Sequence, residues 1–199
     1  MKKITVRNLT VTAMLSAAAG VLMLLHLNLP FLPSFLSFDV ADLPARLASV
    51  ALGPVYGVTG CLMKNLLHIL LHSSHTMAVG ELSNFILSSA FVFTAGAMYK
   101  RKKTRKNAII SAVAGAAVSA CVGVFSNYFL IYPLYGLVYH YSRAMILGMY
   151  QVILPSVSNM WQALLIFNLP FTFIKGLCSA VIAFLIYKPL SPVLKGKIQ

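Results

Sequence analysis

Six ionisable residues stand where an apolar chain would be expected to exclude them. Arg46, Lys64, Glu81 and Lys175 lie within apolar segments, and Asp39 and Asp42 lie at the start of one. Such groups are costly inside a bilayer, ~2.5–3.5 kcal/mol each near its centre, and are functional candidates for that reason. Asn84, Asn127, Asn168 and Thr172 add neutral donors and acceptors. Asn168, Thr172 and Lys175 share one helical face, because positions three and four apart are neighbours on a helix. The chemistry they offer is recognition of a polar solute by an amide, a hydroxyl and a cation. Lys175 could equally snorkel, or pair with Glu81 to hold helices together. Asp42 precedes Leu43-Pro44, a pattern that suits a helix N-cap followed by a first-turn proline. Glu81, in Gly80-Glu81-Leu82-Ser83-Asn84, either favours the positive end of its helix or accepts hydrogen bonds from a ligand. Asn127 either bonds a neighbouring helix or reaches a ligand.

His68 and His72 are spaced four apart, with His75 beyond, a pattern that suits zinc or nickel. No acid or thiolate adjoins them in sequence, and a helix exit at the membrane interface accounts for them without a metal. Cys61, Cys121 and Cys178 lie in apolar segments and form no C-x-x-C, so core packing is their expected role. The chain carries neither the nucleotide-binding G-x-x-x-x-G-K-[ST] nor H-E-x-x-H nor G-x-S-x-G, and no catalytic residues are assigned. Binding or transport is expected rather than catalysis.

The elements that must position these groups are membrane helices. The 199 residues are 59% hydrophobic and only 10% charged, against about 25% charged in soluble domains. The net charge of +13 arises from 16 Lys and Arg against three acids, Asp39, Asp42 and Glu81. The cations cluster in short runs, as they do near anionic headgroups, which argues against nucleic acid as the partner and for membrane lipid. Crossing the hydrocarbon core takes ~20 apolar residues. The pattern predicts an all-α integral membrane protein, one domain over residues 1–199, with six helices at about 4–27, 42–52, 54–72, 80–99, 107–135 and 161–187. The first is read as an uncleaved membrane helix rather than a signal peptide. Gly53-Pro54 divides the second from the third. Lys188-Pro189 ends the sixth, and residues 136–160 form a Tyr-rich amphipathic stretch.

Loop charge tests the count. Lys2, Lys3 and Arg7, the run Lys100–Lys106, and Lys188, Lys195 and Lys197 all fall on one side if the chain crosses six times. That side is the cytoplasm, which then holds both termini. Residues 28–37, with Pro30 and Pro33, read as an apolar loop that survives at membrane depth only when buried, and so as a lid. Ala13 and Ala17 belong to a small-residue face on the first helix, suited to close packing against a neighbouring segment or to docking a second subunit.

These motifs, taken in order, resemble one family. Phe38-Asp39-Val40-Ala41-Asp42-Leu43-Pro44, Ala51-Leu52-Gly53-Pro54, Lys64-Asn65-Leu66-Leu67-His68, Gly80-Glu81-Leu82-Ser83-Asn84-Phe85 and Pro170-Phe171-Thr172-Phe173-Ile174-Lys175-Gly176 are similar to the substrate-binding S components of energy-coupling factor (ECF) transporters, and most to their riboflavin-specific members. The resemblance implies a vitamin site toward the outer face, under the loop between helices one and two. It implies riboflavin as transport substrate rather than cofactor, and ligand contacts from Phe38, Asp39, Val40, Gly80, Glu81, Asn84, Asn127, Thr172 and Lys175. Thr172 stands where the family often has Asn, and Asn168 one turn earlier is the replacement amide. Ala13 and Ala17 match the face that meets the transmembrane coupling subunit EcfT. Two ATPase subunits would supply the energy this chain cannot, in a bacterial cell membrane. An S component for another vitamin, a membrane enzyme using His68, His72 and His75 or Glu81, and a structural subunit are the other readings.

Overall fold

The computed structural model describes residues 5–24, 26–28, 37–72 and 78–195. Among them are seven helices: α1 (Val6–Met23), α2 (Leu43–Ala51), α3 (Pro54–His72), α4 (Val79–Arg101), α5 (Arg105–Tyr139), α6 (Arg143–Gln151) and α7, which starts at Met160 and continues through Leu169–Lys195. Four of these, α1, α4, α5 and Met160–Tyr187 of α7, are long and apolar enough to cross a membrane. Two short strands, β1 (His26–Asn28) and β2 (Ser37–Asp39), pair antiparallel with Leu27 opposite Phe38. They bracket the expected lid, most of which lies outside the described residues.

Local chemistry explains the breaks. Gly53 has a φ of +128°, a conformation open to glycine and strained for other residues. It ends α2, and Pro54, whose missing N–H is harmless in a first turn, starts α3. Thr104 caps α5 by accepting from the Asn107 amide at 3.2 Å. The Lys-rich turn before it closes the α4–α5 hairpin.

Three boundaries differ from expectation. The first helix, expected to reach residue 27, ends at Met23, and His26–Asn28 pair as a strand with β2. The fifth helix runs on to Tyr139, and the stretch after it contains α6, so the described helices number seven rather than six. The last helix passes Lys188-Pro189 and reaches Lys195. A proline in a membrane helix is tolerated where neighbouring groups take up the orphaned backbone carbonyl.

Both long distal helices also contain a π turn, Asn127–Ile131 in α5 and Leu164–Asn168 in α7. Each ends two residues before a proline, Pro133 or Pro170. A proline ring clashes with the carbonyl four residues back and donates nothing to it. Widening the preceding turn relieves the clash, and π turns of this kind recur at functional sites.

The helices pack in a connected bundle: α4 lies between α3 and α5, α5 also meets α7, and α1 and α2 meet α3. Small residues allow the close approaches. Ala45, Cys61, Phe91, Val92, Ala112, Ala116 and Ala180 form the central core. A larger, Tyr-containing cluster joins α5, α6 and α7 around Ile131, Ile146, Val157 and Leu164. Of the cysteines expected to pack inside, only Cys61 is buried; Cys121 and Cys178 are exposed. Apolar exterior positions on membrane helices face lipid, which tolerates a thiol as it tolerates Leu.

Candidate binding site

The centre of the site is Asp42. Its backbone is helical (φ −75°, ψ −17°) and its side chain makes no cap bond, so the N-cap reading is corrected. The carboxylate instead turns into the bundle. Oδ1 accepts from Lys64 Nζ at 2.6 Å and from Ser88 Oγ at 2.7 Å, while Oδ2 lies 3.6 Å from Arg46. Arg46, one turn along α2, donates from Nη1 to the Gly176 carbonyl at 2.6 Å and lies 3.6 Å over the Phe91 ring. Lys64 has no exposed surface, and Asp42 and Arg46 are each 6% exposed. One acid therefore links two buried cations and ties α2 to α3, α4 and α7. Burying charge is acceptable only with such pairing and hydrogen bonding. Lys175, next to Gly176, is close enough to Asp42 to add to its positive surroundings.

Lys64 reaches outward from this hub to Asn84, donating to Oδ1 at 2.7 Å. One turn before Asn84 on α4, Glu81 is buried, and its Oε1 lies 3.0 Å from His68 Nδ1 on α3. Between them Ser83 donates to Asn127 Oδ1 on α5 at 3.3 Å. Glu81 and Asn84 thus face α3 from α4, while Ser83 joins α4 to Asn127 on α5. Gly80, Thr172 and Lys175 are half-buried, as is Val40 directly after β2. The Phe38 and Asp39 side chains lie outside the described residues, although both backbones belong to β2.

Asn168 belongs to a different cluster. Its Nδ2 donates to Tyr132 Oη at 3.1 Å and its Oδ1 accepts from Tyr150 Oη at 2.7 Å, while the two phenol oxygens lie 2.6 Å apart. The three groups close a ring in which each can donate once and accept once. All three are buried. The amide expected to replace the missing Asn at position 172 is therefore engaged in joining α5, α6 and α7.

Of the histidines, His68 meets Glu81 rather than a metal set, and the His72 and His75 side chains lie outside the described residues. No group of three His, Cys, Asp or Glu side chains gathers among the described residues. A small apolar cavity of ≈ 30 Å³, bordered by Ser49, Tyr99 and Phe184, lies elsewhere between α2, α4, α5 and α7. Small-molecule sites are an order of magnitude larger, about 300–1,000 Å³.

On α1 the packed positions are Thr12, Ser16, Ala19 and Gly20, whereas Ala13 and Ala17 are exposed. Packing inside the bundle therefore does not account for Ala13 and Ala17.

Sequence reasoning missed Ser83, Ser88, Tyr132 and Tyr150, and counted Lys64 as a candidate without seeing its role. The i, i+4 spacing of Asp42 and Arg46 was a usable signal for an ion pair. The serines and tyrosines carried none, since their partners lie 18 to 46 residues away.

A family model described as "ECF transporter, substrate-specific component" matches residues 7–187. The chain belongs to this family. It is 33% identical over 190 residues to a Staphylococcus aureus (strain TCH60) protein named riboflavin transporter RibU, covering 95% of this chain and 93% of that one. It is also 33% identical over 188 residues to the Bacillus subtilis (strain 168) riboflavin transporter FmnP, covering 94% and 93%. A solved S component of a bacterial ECF transporter superposes with a TM-score of 0.73 at 34% identity, covering 94% of this chain and 97% of that one. As an ECF substrate-specific component, the chain is a multi-pass transporter subunit rather than an enzyme.

Proposed function

We propose that this chain captures riboflavin at the outer face of a bacterial plasma membrane and delivers it inward when coupled to an EcfT-type subunit and two ATPase subunits. The observation that carries the reading is the end-to-end similarity to two proteins both named riboflavin transporters. The chemistry of the polar side chains on α4, α5 and α7 supports it. Riboflavin has a flat ring with carbonyl and imide edges and a polyhydroxyl tail, and needs an apolar slot with a few placed polar groups. Glu81, Asn84, Asn127, Thr172 and Lys175 supply those groups, with Gly80 giving close backbone approach and Phe38, Asp39 and Val40 as further ligand-binding residues. Asn168 holds the frame behind them. The chain is one domain of six crossings with both termini cytoplasmic, a reading supported by the three cation clusters; α6 lies outside the count. Ala13 and Ala17, exposed on α1, form the docking face for the coupling subunit.

Purified protein is expected to be yellow and to quench flavin fluorescence on titration. Asn127→Ala or Lys175→Ala weakens binding about tenfold, the loss of one good hydrogen bond. A colourless protein that binds no riboflavin at micromolar concentration overturns the substrate assignment.

A further inference from the structure

Two amides, Asn84 on α4 and Asn127 on α5, each meet a neighbouring helix through the carboxamide oxygen. Lys64 is an ammonium and only donates, so the Asn84 atom 2.7 Å from it is the carboxamide oxygen. Ser88 Oγ, whose hydroxyl donates to Asp42, lies a further 3.3 Å from the same oxygen. On α5 the Asn127 oxygen takes the Ser83 hydroxyl. Among the described residues none takes the Nδ2 group of either amide. The Asn84 oxygen is thereby fixed on Lys64 and its amino group is left for a ligand, whereas the Ser83 hydroxyl, which accepts as readily as it donates, does not lock Asn127.

We propose that Lys64 is a positioning residue that fixes the hydrogen-bond polarity of Asn84, so that Asn84 presents only donors. The ligand edge it recognises is then an acceptor edge, the ring carbonyl oxygens of the flavin. This rests on the riboflavin reading above. Lys64 itself touches no ligand. It is a side chain with no exposed surface, held by Asp42, whose charge stabilises the ammonium where neutral surroundings would not. An amide without this lock could rotate by half a turn and offer its oxygen, so Lys64 sets which ligands are accepted rather than only how tightly.

The test uses purified full-length protein and two ligands, riboflavin and an analogue in which a ring carbonyl oxygen is replaced by sulfur, a weaker acceptor. Asn84→Asp keeps an oxygen facing Lys64 but removes the donor; it should weaken riboflavin binding about tenfold, as Asn84→Ala does. Asn84→Asp that binds like the wild type overturns the inference. Because Lys64→Met alone leaves Asp42 charged in the bundle and can fail to fold, two charge-neutral pairs are compared. Asp42→Asn with Lys64→Gln retains a donor toward Asn84, and Asp42→Asn with Lys64→Met does not. The ratio of riboflavin to analogue affinity, which does not depend on the folded fraction, should stay at its wild-type value in the first pair and fall several-fold in the second. An unchanged ratio in both pairs leaves Lys64 a purely structural residue and sinks the proposal. Wild-type protein that binds neither flavin sinks the substrate reading instead, and this inference with it.

Discussion

Asp42 carries more of this bundle than any other side chain. It stands between Lys64 and Arg46, which would otherwise face each other as buried cations. Removing one partner of such a group leaves an uncompensated charge and costs ~3–5 kcal/mol. Asp42→Ala should therefore lower the thermal midpoint in detergent sharply. Asp42→Asn, which keeps a hydrogen-bond acceptor for Lys64, should fall between it and the wild type. If both variants melt with the wild type, the hub does not stabilise the fold. The Tyr132–Tyr150–Asn168 ring is a neutral counterpart. Tyr150→Phe leaves the Asn168 oxygen without its donor at a site with no solvent, for about 1–3 kcal/mol. Because Asn168 faces these tyrosines, the same variant should bind riboflavin with affinity within a few-fold of the wild type in a fluorescence titration.

Among the elements, α2 is the keystone, since its nine residues contact four other helices, α1, α3, α4 and α7. Ser49 sits at the tightest point. Its Oγ donates to the Val92 carbonyl at 2.6 Å, and Gly96 passes so close that an added Cβ would overlap that oxygen. The Pro54 backbone behind it, 3.2 Å from the same position, limits any retreat. Gly96→Ala should destabilise by ~1–3 kcal/mol through overpacking. Adding Ser49→Ala removes the overlapping atom and should recover part of the loss, a coupling that a double-mutant cycle measures. Additive losses would mean that α2 and α4 separate more easily than their packing implies. The π turns in α5 and α7 are legible afterwards as the local answer to Pro133 and Pro170, and they set the pitch at which Asn127 and Asn168 enter the bundle.

At the scale of the whole molecule, the proposed binding residues and the proposed docking residues belong to different helices. Glu81, Asn84, Asn127, Thr172 and Lys175 lie on α4, α5 and α7, whereas Ala13 and Ala17 are exposed on α1. Binding and uptake should therefore separate. Ala13→Leu or Ala17→Leu is expected to leave riboflavin affinity of the purified chain unchanged and to abolish uptake in cells that supply the coupling subunits. Normal uptake by these variants would remove the docking role from α1.

Composition and order determined most of the architecture. Apolar length, the Gly53-Pro54 break and the cation clusters located the long apolar helices, because burial in lipid demands continuous runs, although the last helix runs past its expected end at Lys188-Pro189 to Lys195. The ordered motifs also pointed to the family. What only the tertiary structure decided was partnership. Asp42 looked like a cap because capping is local and its true partners, Lys64 and Ser88, are 22 and 46 residues away. Asn168 looked available because Tyr132 and Tyr150 come from two other helices. A helix pattern states which face a side chain occupies, but a hydrogen bond across helices depends on depth and rotation, and those are set by packing.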